Sequence, residues 1–432
     1  KRQVRQRSNR IEIGNVCMDL ERLEHILHCG NAEACLWFFA GASEEERRRA
    51  SKTVLESLRG IEQEWMYWHL VGGSECSTRR DARGVALLAS CSLGELKHDR
   101  MHLLPNLDYA YKVLADRRPE WLEDFPDAVL AFSPGYWPLV RRIVRDSLCR
   151  KPESDIYITS MLCSTRSWRH DPQDKTLLAE LQDDPELLDD EVWRLFEVEG
   201  NKACSLARHD NRSPPTQRWD QTLIVLSRDG RLSRERLLDA SLEALARDFR
   251  PYRAAWFSRF HESLEPTDSE RVQRTERYLA LWSSCVPSTV AFAVRAVKYC
   301  DKISPDRGTI LIESARSALK STRKGTVKSV LTLLGRLARR SPGLRQTLVL
   351  TVAEGLSHKD TDVQEAIFHF LERYGDCDSN PSLAEAILPH RSNIAPSLRP
   401  RADTLLGVTP VSIEDRPGTP ARDLSELSLI HI

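Results

Sequence analysis

PSTVAFAVRAVKYC from Pro287, KGTVKSVLTLLGRLA from Lys324 and DTDVQEAIFHFLERYG from Asp360 are one pattern written three times. Their leading valines, Val290, Val327 and Val363, stand 37 and 36 residues apart. Behind each valine the apolar residues keep step: Val290, Val294 and Val297; Val327, Leu331 and Leu334; Val363, Ile367 and Phe370. Spacing of i, i+4 and i+7 puts such residues on one stripe of a helix. Ser288, Thr326 and Asp360 are candidate N-caps, whose side-chain oxygens can accept from the orphan N–H groups of a first turn.

A second helical pattern follows each of the first two: RGTILIESARSALK from Arg307 and GLRQTLVLTVAEGL from Gly343. Ala315 and Val352 are 37 residues apart, and so are Leu319 and Leu356. Pro305 and Pro342 share that offset and precede the second helices, where a missing N–H costs little. Two-helix units of this length are the size class of HEAT and armadillo repeats, which stack side by side and expose an extended binding surface. The expected fold is all-α: an α-solenoid of HEAT-like helix pairs, preceded by an irregular helical N-terminal region.

The pattern predicts four segments. Residues 1–14 open as a basic, disordered tail, KRQVRQRSNR. Residues 15–210 form a helical N-terminal domain, with a loop over Gly72–Thr78. The stretch NRSPPT at 211–216 breaks the periodicity, and the HEAT-like repeat domain spans 217–395. Residues 396–432 read as a linker or a truncated C-terminus, because LSLIHI follows a stretch rich in Pro, Gly, Thr and Asp and resembles a translated adaptor.

Composition narrows the class. At 432 residues, 41% hydrophobic and 29% charged, the chain can bury a large core. No apolar run reaches the ~18 residues of a membrane span. Eleven cysteines without CxxC spacing read as reduced cytoplasmic thiols. No Walker loop, GxGxxG, GxSxG or kinase motif is present, so no catalytic residue, cofactor or metal is expected. Cys17, His25, His28, Cys29 and Cys35 are the densest set of potential ligands, but their spacing is not that of a zinc finger, and Leu23, Ile26 and Leu27 among them indicate packing. His98 and His102 lack HExxH context. The carboxylate pairs Asp183/Asp184 and Asp189/Asp190 lie in an acidic, polar stretch read as a loop, without a shielded pocket for acid–base work. Arg253, Arg259 and His261 flank an aromatic cluster at Trp256, Phe257 and Phe260, which helical spacing assigns to the core.

Several phrases carry a resemblance: ADRRPEWLEDF from Ala115, PESDIYITSML from Pro152, DDEVWRLFEVEG from Asp189, and RLSRERLLDASLEALARDFRPYRAAWFSRFHESLEPT from Arg231. Over residues 100–400 the chain resembles a bacterial family of uncharacterised proteins with HEAT-like helical repeats. The resemblance implies bacterial origin, a cytoplasmic location and a solenoid-like fold, and supplies no catalytic residues.

The charges balance, 63 basic against 63 acidic, but they are segregated. Between Glu313 and Glu354 there is no acid, while nine cations occur: Arg316, Lys320, Arg323, Lys324, Lys328, Arg336, Arg339, Arg340 and Arg345. Residues 171–199 hold eleven acids against two bases. A basic surface on stacked helices suits a protein partner of acidic character. The expected function is therefore a non-enzymatic cytoplasmic scaffold or adaptor binding a protein. The alternative is a nucleic-acid-binding module using the 314–353 surface, although that stretch lacks aromatic side chains for base stacking.

Overall fold

The computed structural model describes residues 19–58, 74–97, 100–164, 176–202, 204–300, 307–375 and 381–407. Among these residues all regular structure is helical and no strand occurs. The chain divides into two compact units, residues 1–236 and 237–432.

The N-terminal unit is built around the long helix Ser74–Ser90. Helices Leu20–Cys29, Ala32–Phe39, Glu44–Ser57 and Leu107–Arg117 all pack against it. Its apolar stripe includes Ala82, Val85, Ala86 and Ala89, all buried. The loop expected over Gly72–Thr78 is helical from Ser74 onward. The helix Glu44–Ser57 starts as its sequence dictates. Ser43 accepts from the Glu46 N–H, Glu46 accepts from the Ser43 N–H, and Glu44, Glu45 and Glu46 set negative charge at the positive end of the helix dipole.

Three arginines close the opposite end of the Ser74–Ser90 helix. The last four carbonyls of a helix have no partners within it. Here Arg117 donates to the Leu88 and Cys91 carbonyls at 2.7 and 2.8 Å, and Arg48 donates to Ser90 at 3.0 Å. Arg47 reaches Ala89 at 3.5 Å and Asp116 at 2.7 Å. Glu44 and Glu95 hold Arg117 and Arg48 in turn. The hydrogen bond from Arg48 is the main reason the Glu95 carboxyl falls to about 2.

In the C-terminal unit the valine stripes point inward. All nine residues named for them are buried, as are Ala315, Leu319, Val352 and Leu356 of the second helices. The first helices are Pro287–Tyr299, Lys324–Arg340 and Thr361–Tyr374, preceded by Pro251–Ser263. Each packs against the next of its kind. The second helices, Thr275–Ala280, Gly308–Ala318, Arg345–Ala353 and Pro381–Ile387, likewise pack one on the next. Polar bonds tie neighbouring pairs at similar offsets. Arg295 pairs with Glu262 at 2.9 Å, Lys298 donates to Ser329 at 2.9 Å, and Tyr374 donates to the Gly335 carbonyl at 3.2 Å.

Of the three caps, only Asp360 serves: it accepts from the Asp362 and Val363 N–H groups. Ser288 and Thr326 fall inside their first turns, behind N-caps Val286 and Arg323. Proline at the start of the Pro287 helix needs no N–H partner, which lessens the demand for a polar cap there. Pro305 lies outside the described residues, whereas Pro342 opens a single 3-10 turn before Arg345–Ala353. The segment expected as a linker from 396 begins instead with a 3-10 turn at Pro396–Leu398 and the helix Arg399–Leu405, held by Arg401 on Glu372 at 2.6 Å. Buried Gln364 staples this end: its amide nitrogen donates to the carbonyls of His358 and Asn393 at 2.8 and 2.9 Å, lies 3.2 Å from that of Leu356, and its oxygen accepts from the Ala395 N–H at 2.9 Å.

Candidate functional site

The nine cations do not form one uniform surface. The first group is answered by acids that follow the acid-free stretch. Arg316 pairs with Glu354 at 2.6 Å, and Lys324 with Asp362 at 2.9 Å. Lys328 lies 4.0 Å from the same carboxylate, and Asp360 adds to the field at Lys324. The Lys324 hydrogen bond is the main reason the exposed Asp362 carboxyl is lowered. Lys320 and Arg323, at the turn between these helices, are exposed.

The second group gathers where the Lys324–Arg340 helix ends. Arg339 donates its Nε–H to the Gly335 carbonyl at 3.2 Å, and Arg345 donates to Ala338 at 2.9 Å. Both use one N–H on the negative end of the helix and remain exposed. Arg336 is half-buried and Arg340 exposed beside them. Sequence reading found these residues, but not that Arg316, Lys324 and Lys328 face acids one helix pair later.

The acidic stretch has a different role from the one its composition suggests. Asp184 and Glu191 enclose Arg141, whose guanidinium lies 2.6 Å from each carboxylate. Glu186 sits 3.3 Å away. A π-helical turn at Leu187–Glu191 turns Leu187, Leu188 and Glu191 inward and leaves Asp189 and Asp190 exposed. Asp183 ends the Leu177–Asp183 helix, and Asp189 and Asp190 lie within the π-helical turn, so the stretch read as a loop is largely helical. Tyr157 donates to Glu191 at 3.1 Å from the other side. Burial pushes the Glu191 carboxyl up, and Arg141 with the Tyr157 hydroxyl opposes it. At Asp184 burial also raises, but the Arg141 hydrogen bond and the Leu187 N–H prevail, so its carboxyl is lowered.

His261 faces inward, away from exposed Arg259. Its Nδ1 lies 2.7 Å from Ser241 Oγ and its Nε2 lies 2.7 Å from the Tyr278 hydroxyl. Ser241 Oγ also lies 2.8 Å from the Leu238 carbonyl. In the tautomer in which Ser241 donates to that carbonyl, the ring donates through Nδ1 to Ser241 and accepts at Nε2 from Tyr278, the reverse of a base poised to take a serine proton. Trp256 stacks on Phe260 with centroids 5.1 Å apart, and both are buried, as is Phe257.

Burial depresses the His261 imidazole to about 3 from an ordinary 6.5. The unfolded chain then binds a proton near 6.5 that the native state refuses until about 3. Its contribution to stability is complete above the higher value and is lost as pH falls between the two. Each pH unit in that window is expected to cost about 1.4 kcal/mol. Urea unfolding of the native chain and of His261→Gln at pH 7 and 5 measures this; the variant should show the shallower pH dependence.

Burial raises Cys35 to about 12 and Cys91 and Cys149 to about 11. Asp248 raises exposed Cys285. The expectation of uniformly reduced cysteines fails at one pair: Cys163 and Cys204 form a disulfide with Cα atoms 6.2 Å apart. Their separation of 41 residues concealed it. His25 approaches Cys29 to 3.7 Å, and no group of three metal-ligating side chains occurs among the described residues. Cys17 and His98 lie outside them. No described helix is long and apolar enough to cross a membrane.

No curated protein and no solved structure matches the chain. A family model does, over residues 19–302, reaching further toward the N-terminus than the resembling phrases and ending before the basic stretch at 314–353. The chain belongs to the family described as Domain of unknown function (DUF6493).

Proposed function

We propose that the protein is a non-enzymatic cytoplasmic scaffold or adaptor. Its C-terminal unit is a HEAT-like α-solenoid of the kind the bacterial resemblance implies, and it binds an acidic protein segment along the cationic edge at Arg336, Arg339, Arg340 and Arg345. The observation that carries this reading is the packing of like on like. First helices contact first helices, second helices contact second helices, and polar bonds join residues about one helix pair apart. That arrangement is how stacked repeats build a continuous surface. Exposed Arg339 and Arg345 support the partner's sign, since surface charge steers and selects an oppositely charged partner.

The test uses a labelled oligoglutamate peptide and a labelled DNA duplex, each titrated by fluorescence anisotropy at about 50 mM salt, where phosphate contacts are strong. The peptide is expected to bind. The triple reversal Arg336→Glu, Arg339→Glu and Arg340→Glu should weaken it roughly tenfold, as surface charge contacts of up to about 1 kcal/mol each allow. Peptide binding that ignores the reversal would exclude this edge. Binding of the duplex alone would establish the nucleic-acid reading instead.

A further inference from the structure

The N-terminal unit carries an open cleft of about 230 Å³ that none of the features above explains. Leu36, Phe39, Val85, Ala89 and Val113 give it an apolar interior. Trp37 stands at its mouth with 74% of its surface exposed. A tryptophan this exposed is unusual for a folded surface, and tryptophan is the residue most enriched at the energetic centres of protein interfaces. The rim carries both signs of charge: Glu33 from the Ala32–Phe39 helix and Lys112 from Leu107–Arg117. Both are exposed, and no ion pair joins them.

We infer that this face is a two-fold interface between copies of the chain. Contact between identical patches requires self-complementarity, because each patch must offer what it also receives. This patch offers an exposed aromatic beside an apolar recess, and an acid and a base on two different helices. In a two-fold pairing Trp37 of each copy enters the other's cleft, and Glu33 of each meets Lys112 of the other. An apolar centre ringed by charge is the usual anatomy of such an interface. Arg47 lines the recess but is committed to Asp116 and two backbone carbonyls, so it makes a rigid wall.

Sedimentation velocity of the full chain between about 1 and 100 µM tests this, a range that spans moderate affinities. A concentration-dependent dimer is expected. Trp37→Ala, whose side chain is too exposed to support the fold, should weaken dimerisation roughly tenfold or more. Glu33→Lys and Lys112→Glu should each weaken it, and the two together should restore it, because the swapped charges again meet their opposites. Circular dichroism of each variant separates lost association from lost folding. A monomer throughout the range overturns the proposal, as does a dimer unaffected by Trp37→Ala or a double swap no better than either single reversal.

Discussion

Replacing Arg141 with alanine is expected to destabilise the N-terminal unit by about 3–5 kcal/mol, the range for breaking a buried ion pair from one side. The cost comes chiefly from what remains. Glu191 is fully buried, and without Arg141 it keeps only the Tyr157 hydroxyl among its bonds. Such a carboxylate must either stay charged in a poorly solvating interior or take up a proton. Because burial already raises the Glu191 carboxyl, loss of the opposing guanidinium favours protonation. The variant should therefore be less destabilised at pH 5 than at pH 8. The double replacement Arg141→Met with Glu191→Leu removes the most buried pair and should recover part of the loss, the remainder being the Asp184 carboxylate left without its guanidinium. Urea unfolding of the native chain, Arg141→Ala and the double replacement measures all of this. A loss below about 1 kcal/mol in Arg141→Ala would place the pair with ordinary surface bridges.

Arg117→Ala is expected to have a comparable effect, about 3–5 kcal/mol, by a different route. The guanidinium is buried and is the partner of two carbonyls at the end of the Ser74–Ser90 helix. Removing it strands both acceptors, each costing roughly 1–3 kcal/mol. Glu44 contributes less, because about half of its side chain is exposed and its bond is screened by water. Arg117→Lys should recover only part of the loss. An ammonium carries the charge but cannot fork to two carbonyls and a carboxylate. Hydrogen exchange at Leu88–Cys91 gives the local readout: protection should fall there first. Unchanged protection would show that Arg47 and Arg48 hold the helix end without it.

The features legible in the sequence are those written in short-range periodicity. The stripe Val327, Leu331 and Leu334 needs only its own helix to be recognised, and it is buried as its spacing requires. The cap at Asp360 is local in the same way. Features that depend on a distant partner were not legible. Asp184 and Glu191 look like solvated acids until the chain brings Arg141 to them across 43 and 50 residues. The acid-free window from Ser314 to Ala353 looks uniformly basic because Glu354 and Asp362 lie just past its edge, yet they face back onto Arg316 and Lys324. Cys163 and Cys204 carried no pairing signal in their spacing. Trp37 lies in an apolar run, AEACLWFF, where nothing distinguishes the side chain that faces out from those that face in.

The polar bonds between successive helix pairs have a mechanical consequence. Arg295–Glu262, Lys298–Ser329, Lys324–Asp362 and Arg401–Glu372 each join immediate neighbours, so tension applied along this unit is carried in series, like load through the links of a chain. Links in series give way singly. In the stacked-repeat reading proposed above, pulling on one end of this unit is expected to release one helix pair while its neighbours stay folded.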